Sequence, residues 1–486
     1  MTIEITSTPA ETARAGRSSS FWAFLVTGVA IFMVSLDNLV VTTALPAIRA
    51  GLGAGLEGLE WTVNAYTLTF AVFLLTGAAL GDRFGRRRML LVGLSLFTLS
   101  SAAAAVAPDI GMLVAARAVQ GVGAAMVAPL TLTVLSAAVP ATRRGLALGA
   151  WGAMSGLAIA LGPVIGGAIV DYASWQWIFW VNVPIGLALI PVARRRLAES
   201  YGPTGRLDLA GTVLASAGLL GVVLGLVRGN RLGWTSPEIL ISFAAGAILL
   251  VGFVAWELRS AAPMLPMRFF RSRSFSAANV ASLLMFFGMF GSIFLLAQFL
   301  QTVQGYSPFA AGVRTLPWTG MPLIAAPLAG ALSDRIGSRP IVAVGLALQA
   351  IGLGWLAAIS APDVAYSTLV PAFVVSGLGM GMFFAPIANL VLGAVSSAEE
   401  GMASGANNAI REVGGVLGVA VLAAVFSKTG GYTSGQEFVD GLIPAVWVGA
   451  VAVAGAALAA VLVPRRSRGR GVTALPGRTI REPVAA

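Results

Sequence analysis

The chain has 486 residues, 57% of them hydrophobic and only 10% charged, whereas a soluble domain carries about 25% charge, so it reads as an integral membrane protein. It has no cysteine and no histidine, which excludes disulfides, thiolate metal sites and cysteine nucleophiles. The usual proton carrier near neutral pH is also missing, so proton chemistry falls to carboxylates, and no cofactor or metal is expected.

The first twenty residues are polar and lack an apolar core, which predicts a cytoplasmic tail over 1–20 with no cleavable signal, the first span directing insertion. Stretches of about 20 apolar residues are long enough to cross a bilayer as helices. Fourteen are expected, over residues 21–44, 59–80, 88–107, 110–135, 146–170, 175–192, 207–227, 238–256, 275–301, 309–332, 340–359, 366–392, 402–426 and 442–463. With the N-terminus in the cytoplasm, 24 basic residues fall in cytoplasmic segments. Four (Arg49, Arg228, Arg231 and Lys428) fall outside, and Arg117, Arg314 and Arg411 lie within spans. That bias is the positive-inside rule with an even number of spans, so both termini are expected in the cytoplasm of a cytoplasmic membrane. The net charge of +11 is thus accounted for by topology, and nucleic acid is not an expected partner.

In chain order, span one carries Asp37 about seven residues from its outer end, roughly 10 Å deep at 1.5 Å per residue. A carboxylate at such a depth is costly and is a functional candidate by default. Arg117 in span four lies at matched depth, so the two are candidates for an ion pair and for a proton switch that a cationic substrate displaces. The bland alternative is a structural salt bridge. Between spans two and three runs Gly81-Asp82-Arg83-Phe84-Gly85-Arg86, and a relative of it, Ser333-Asp334-Arg335-Ile336-Gly337, returns 252 residues later. Such a repeat points to a chain built twice from one unit, as in secondary transporters. An aspartate of these loops is expected to dock on a helix N-terminus, which carries about half a positive charge, and so to latch the cytoplasmic side. Span five has small residues at Gly152, Gly156, Ala160, Pro163 and Gly167 on one stripe, which permits close helix approach and a proline kink.

The repeat divides the chain into a tail (1–20), a six-helix bundle (21–197), two linker spans (198–262), a second six-helix bundle opened by a basic interfacial segment (263–464), and a disordered cytoplasmic tail (465–486). Trp61, Tyr66, Phe286, Phe287, Phe290 and Trp318 are candidates to line an apolar cavity, with helix packing as the alternative. Arg411 and Glu412 in span thirteen are candidates for substrate binding or coupling; about 100° apart on a helix, at most one is expected to point squarely into a cavity.

Together these motifs resemble the major facilitator superfamily, and within it the fourteen-helix drug:proton antiporters of the EmrB/QacA type. Residues 77–90 resemble the signature loop. Residues 113–121 resemble the span-four motif, whose arginine, here Arg117, is tied to proton coupling, with Gln120 beside it. Residues 156–167, with Gly156, Gly162, Pro163, Gly166 and Gly167 in or beside them, resemble the antiporter motif of exporters. Residues 36–46, 61–66 and 175–186 are also similar to that group. Gln176 departs from the arginine often found there, and span ten lacks the acid that some multidrug members carry. The resemblance implies an all-α membrane fold of two six-helix bundles plus two central helices, and a monomeric, proton-coupled exporter of a lipophilic drug or antibiotic. An exporter of a dedicated metabolite or self-made antibiotic is the nearest rival. A membrane enzyme or sensor is disfavoured.

Overall fold

The computed structural model describes residues 9–140, 144–202, 207–396 and 399–463, and in those the side chains other than 9–19, 144–146, 148, 149 and 334. The expected tail over 465–486 and the loop arginines Arg143 and Arg206 lie outside the described residues. Everything regular among the described residues is helical, as a chain that must satisfy its backbone internally within lipid requires.

The first bundle comprises α1 (Pro9–Leu52), α2 (Leu56–Phe84), α3 (Arg86–Ala105), α4 (Ile110–Ala138), α5 (Arg144–Tyr172), and the short α6 (Trp177–Trp180) leading into α7 (Asn182–Arg196). The linker pair is α8 (Leu209–Leu232) and α9 (Pro237–Glu257). The second bundle is α10 (Arg273–Gln298), α11 (Pro308–Thr319), α12 (Met321–Ile336), α13 (Ser338–Ile359), α14 (Tyr366–Leu392), α15 (Glu400–Thr429) and α16 (Gly435–Val461). Caps fix several starts: Asp109 accepts from the Met112 amide at 2.9 Å, and Asp208 accepts from that of Gly211 at 2.7 Å.

Thirteen segments among the described residues are long and apolar enough to span a membrane. The fourteenth expected span is present as two shorter pieces. Span ten breaks at Gly320 into α11 and α12, because Pro322 has no amide to donate and its ring crowds the carbonyl four residues back. Both linker spans are long enough to cross. Residues 9–20, within the expected tail, are helical and run continuously into the first span as the start of α1.

The 252-residue repeat survives in the backbone. Gly85 and Gly337 both join their helix pairs at positive φ, 103° and 90°, a conformation that side chains other than glycine rarely adopt. Of the linker pair, α8 lies against α2 and α15, bridging the two bundles, and α9 packs on α8. Val223 and Ala215 pack with Leu68, Val72, Val416 and Ala420. At one end Arg228 pairs with Glu57 at 2.9 Å, and Asn230 donates to Ala424 O and Ser427 Oγ.

Candidate functional site

A cavity of about 1860 Å³ lies between the bundles. It opens at the end of the molecule that carries Asp82 and Arg86 and reaches up to Asn38, Tyr66, Phe290 and Thr319. At the opposite end the bundles are shut together. There Gly167 of α5 packs so tightly on α11 that an added Cβ would stand 2.2 Å from Pro308 O, and Gly312 packs likewise on Pro163 O at 2.2 Å. Asp171 accepts from Ser307 Oγ at 2.6 Å and from the Phe309 amide at 3.0 Å. Gln301 donates to Thr43 O at 2.8 Å, and the Arg49 guanidinium sits 3.5 Å from the centre of the Tyr432 ring. Toward the open end the same face of α5 is free: nothing lies within 4 Å of a Cβ placed on Gly152, and only Leu323 at 3.8 Å meets one on Gly156. The small-residue stripe is therefore half seal and half cavity wall. Gly162 and Gly166 of the same motif pack on Leu39 and Val40 of α1.

Asp37 and Arg117 do meet. They form an ion pair that is 2% and 0% exposed. Around it, Gln120 Nε2 and Asn182 Nδ2 donate to Asp37 Oδ1 at 2.9 and 2.8 Å. Arg117 donates to Gln120 Oε1 at 2.7 Å and to Thr62 O at 3.1 Å, and Gln120 Nε2 also donates to Ser101 Oγ at 2.8 Å. The guanidinium lies 4.1 Å from the Tyr66 ring centre, an attractive cation–π distance. The network ties α1, α2, α3, α4 and α7 together. Its acid points away from the cavity; Asn38, the next residue, lines it. In this conformation the pair is therefore sealed from the cavity that Asn38 lines, since side chains at consecutive helical positions diverge by about 100°.

Other candidates divide. Tyr66, Phe286 and Phe290 line the cavity, with the two phenylalanines stacked at 5.7 Å. Trp61 does not; it packs on the apolar cluster shared by α2, the linker helices and α15. Trp318 is also outside it, buried and stacked on Phe373 at 6.1 Å, and Phe287 only packs against the second-bundle core. Gln120 belongs to the Asp37 network. Arg411 and Glu412 both line the cavity. Arg411 donates to Asn408 Oδ1 at 3.3 Å and lies 5.1–5.5 Å from the rings of Phe286, Phe383 and Phe384.

At the mouth, Asp82 does not dock on a helix N-terminus. It pairs with Arg86 at 2.8 Å, one turn on. The amides at the start of α3 are met instead by Glu199, which accepts from Arg87 N at 2.8 Å and Arg88 N at 3.2 Å. Arg83 stands by Phe84, its guanidinium 5.3 Å from the ring centre. In the second loop Arg335 is exposed at the end of α12, and the Asp334 side chain lies outside the described residues. The segment 263–271, expected to lie flat at the interface, crosses the cavity mouth: Met264, Met267 and Arg268 line it, and Arg268 pairs with Glu399 at 2.6 Å. Asn182, Ser101 and Glu199 are the residues that sequence reasoning missed. The first two stand out only as polar side chains in apolar spans; nothing local marks Glu199.

Comparison with known proteins agrees with this architecture. The Major Facilitator Superfamily model matches residues 27–419. "Multidrug resistance protein Stp" of Mycobacterium tuberculosis is 36% identical over 405 residues, covering 83% of this chain and 75% of that protein. "Tetracenomycin C resistance and export protein" of Streptomyces glaucescens is 32% identical over 440 residues, covering 90% and 82%. Among solved structures, a POT family transporter in complex with a thioalcohol-conjugated peptide superposes with a TM-score of 0.67 at 16% identity, over 88% of this chain and 94% of that one. Two bundles about a cavity open at one end, the repeated signature loop and these matches together establish that the chain is a transporter belonging to the major facilitator superfamily.

Proposed function

We propose that the protein is a proton-coupled exporter of lipophilic drugs or antibiotics in the cytoplasmic membrane, working as a monomer by alternating access. The signature-loop end is cytoplasmic in this reading, which follows the arginine bias, and the described conformation is inward-open. The relatives named for multidrug resistance and for tetracenomycin C export support efflux as the direction. The aromatic wall of Phe286 and Phe290 beside the charged groups Arg411 and Glu412 suits a compound that is apolar with a polar group. Because the relatives include one named for a single antibiotic, a dedicated self-resistance exporter is the second reading.

The observation that carries coupling is the Asp37–Arg117 network: a carboxylate sealed from the cavity, held by three donors, in a chain with no histidine. Moving a proton to Asp37 breaks its pairing with Arg117 and loosens the contacts among α1, α2, α4 and α7. Substrate acts on it through Asn38 and Tyr66, which touch the cavity on one side and the network helices on the other. The signature loops act as the cytoplasmic gate, with Asp82 and Arg86 exchanging partners when the mouth closes.

The test is Asp37→Asn in inside-out vesicles carrying a proton gradient. The variant is expected to reach the membrane normally and to show no substrate-induced proton movement. Wild-type coupling in the variant removes Asp37 from the mechanism.

A further inference from the structure

We propose that Glu60 of α2 is a second proton-binding site, and that the outer half of the transporter closes only over its neutral carboxyl. The proposal rests on the proton-antiport reading above and adds a site that the reading does not use.

The argument begins with helical phase. At 100° per residue, Glu60, Asn64, Thr67 and Ala71 fall on one stripe of α2. That stripe continues downward into Leu74, Leu75, Ala78 and Asp82, all of which line the open cavity. Ala78 lies five turns, about 27 Å, from Glu60. The upper part of the stripe is thus the continuation of the cavity wall into the half that is shut in this conformation. An alternating-access cycle that opens the outer half exposes it to external water.

The upper stripe is also chemically unusual. Glu60 is 3% exposed and Asn64 is 0% exposed. Glu60 Oε2 and both polar atoms of the Asn64 side chain are buried without a hydrogen-bond partner, and no ion pair reaches Glu60 among the described residues. Buried polar groups are normally paired, and an ionised carboxylate buried without a partner is strongly disfavoured. Packing alone does not call for an acid and an amide one turn apart on the same face. Both make sense as groups that are solvated in one conformation and stripped of water in the other.

The surrounding charges give no alternative partner. On α2 itself, Glu57 is occupied by Arg228 and Arg231. Across the seal, the Tyr432 hydroxyl donates to Gln298 Oε1 at 2.6 Å, and burial holds its phenol well above the ordinary range. The Arg49 guanidinium is engaged on the Tyr432 ring. The proton that neutralises Glu60 therefore arrives from external water while the outer half is open, adding to the carboxylate as a simple acid–base step. Return of the carrier to the inward-open state then requires that proton. Asp37, on another helix and in its own network, keeps the coupling role.

The protein has no native cysteine, so a single introduced thiol gives an unambiguous signal. In the full-length transporter, Asn64→Cys is labelled from outside with a membrane-impermeant thiol reagent. Its rate is normalised to Asp363→Cys on an exposed loop, which corrects for the pH dependence of the reagent with an open thiol. Relative labelling is expected to rise with external pH, by up to about tenfold per pH unit for a single linked proton. It is expected to be flat in Glu60→Gln/Asn64→Cys and to retain a slope in Glu60→Asp/Asn64→Cys. An Asn64→Cys thiol that no condition exposes, or a slope unchanged by Glu60→Gln, overturns the proposal; the first of these readouts needs no change at Glu60. If the wild type moves no protons at all, the antiport reading falls. If it moves protons while the Asn64→Cys slope ignores Glu60, only this inference falls.

Discussion

Asp37 accepts from three side chains at once, which sets what its neighbours can tolerate. Removing one partner of a buried ion pair leaves the other charge uncompensated, at a cost of about 3–5 kcal/mol. Asp37→Ala is therefore expected to lower the thermal midpoint of the purified protein sharply. Asp37→Asn also leaves the Arg117 charge uncompensated but keeps one acceptor oxygen and the side-chain volume, so it should lower the midpoint less than alanine while abolishing coupling. Arg117→Lys should resemble the alanine variant more than the asparagine one. A single ammonium cannot replace the two guanidinium nitrogens, Nη1 on Asp37 and Gln120 and Nε on the Thr62 carbonyl. Melting curves of the three variants in one detergent check the order. Asp37 and Arg117 were legible in the sequence because two charges at matched depth in separate apolar spans are costly enough to demand a reason. Asn182 was not, since its donation to Asp37 crosses 145 residues and its own span offers no phase marker. Trp61 was misassigned for a related reason: aromatic identity does not reveal which side of α2 a residue occupies, and it packs on the apolar cluster shared by α2, the linker helices and α15.

At the scale of elements, α5 shows one stripe serving two purposes. Where the glycine and proline backbones of α5 and α11 touch, at Gly167–Pro308 and Pro163–Gly312, no side chain can be inserted without moving backbone. Gly167→Leu is thus expected to prevent the outer half from closing and to hold the cavity open to the outside. Transport should fall at least tenfold, and cysteines placed at Gly152 should lose accessibility from the cytoplasm. Unchanged accessibility would show the contact to be mere packing. The two signature-loop glycines permit a finer comparison. A β-carbon in this extended positive-φ region costs about 1–3 kcal/mol, and this applies to both. At Gly85 it also strikes the Glu199 carboxyl at 2.8–3.0 Å, whereas nothing lies within 4 Å at Gly337. Gly85→Ala should therefore slow transport and destabilise more than Gly337→Ala, with substrate affinity in detergent within a few-fold of wild type for both. The repeat itself was readable from the sequence, and the matching positive φ values are its physical basis. The clamp by Glu199 was not, because only the fold brings residue 199 to the start of α3. The break of span ten was latent in its prolines, but hydropathy averages over such a break.

For the whole molecule, the question is what drives it. The chain contains no phosphate-cradling Gly-x-x-x-x-Gly-Lys-[Ser/Thr] loop, and its single lysine, Lys428, lies at the end opposite the signature loops. In the proposed reading the energy comes from an ion gradient acting through the few charges that the bundles bury. One charge falling through 100 mV yields about 2.3 kcal/mol, on the order of a 50-fold concentration ratio. One proton exchanged for a neutral compound can use that potential in full, together with any pH gradient. A monovalent cation exchanged for one proton gains nothing from the potential and depends on the pH gradient alone. Collapsing the proton gradient with a protonophore is therefore expected to restore intracellular accumulation of the substrate. Depleting ATP while the gradient is maintained should leave efflux unchanged, and collapsing the potential alone should affect neutral substrates but not monovalent cations. Efflux that persists in energised vesicles after the protonophore would make a sodium-coupled or facilitative carrier the better description, and would leave Asp37 as a structural ion pair between helices.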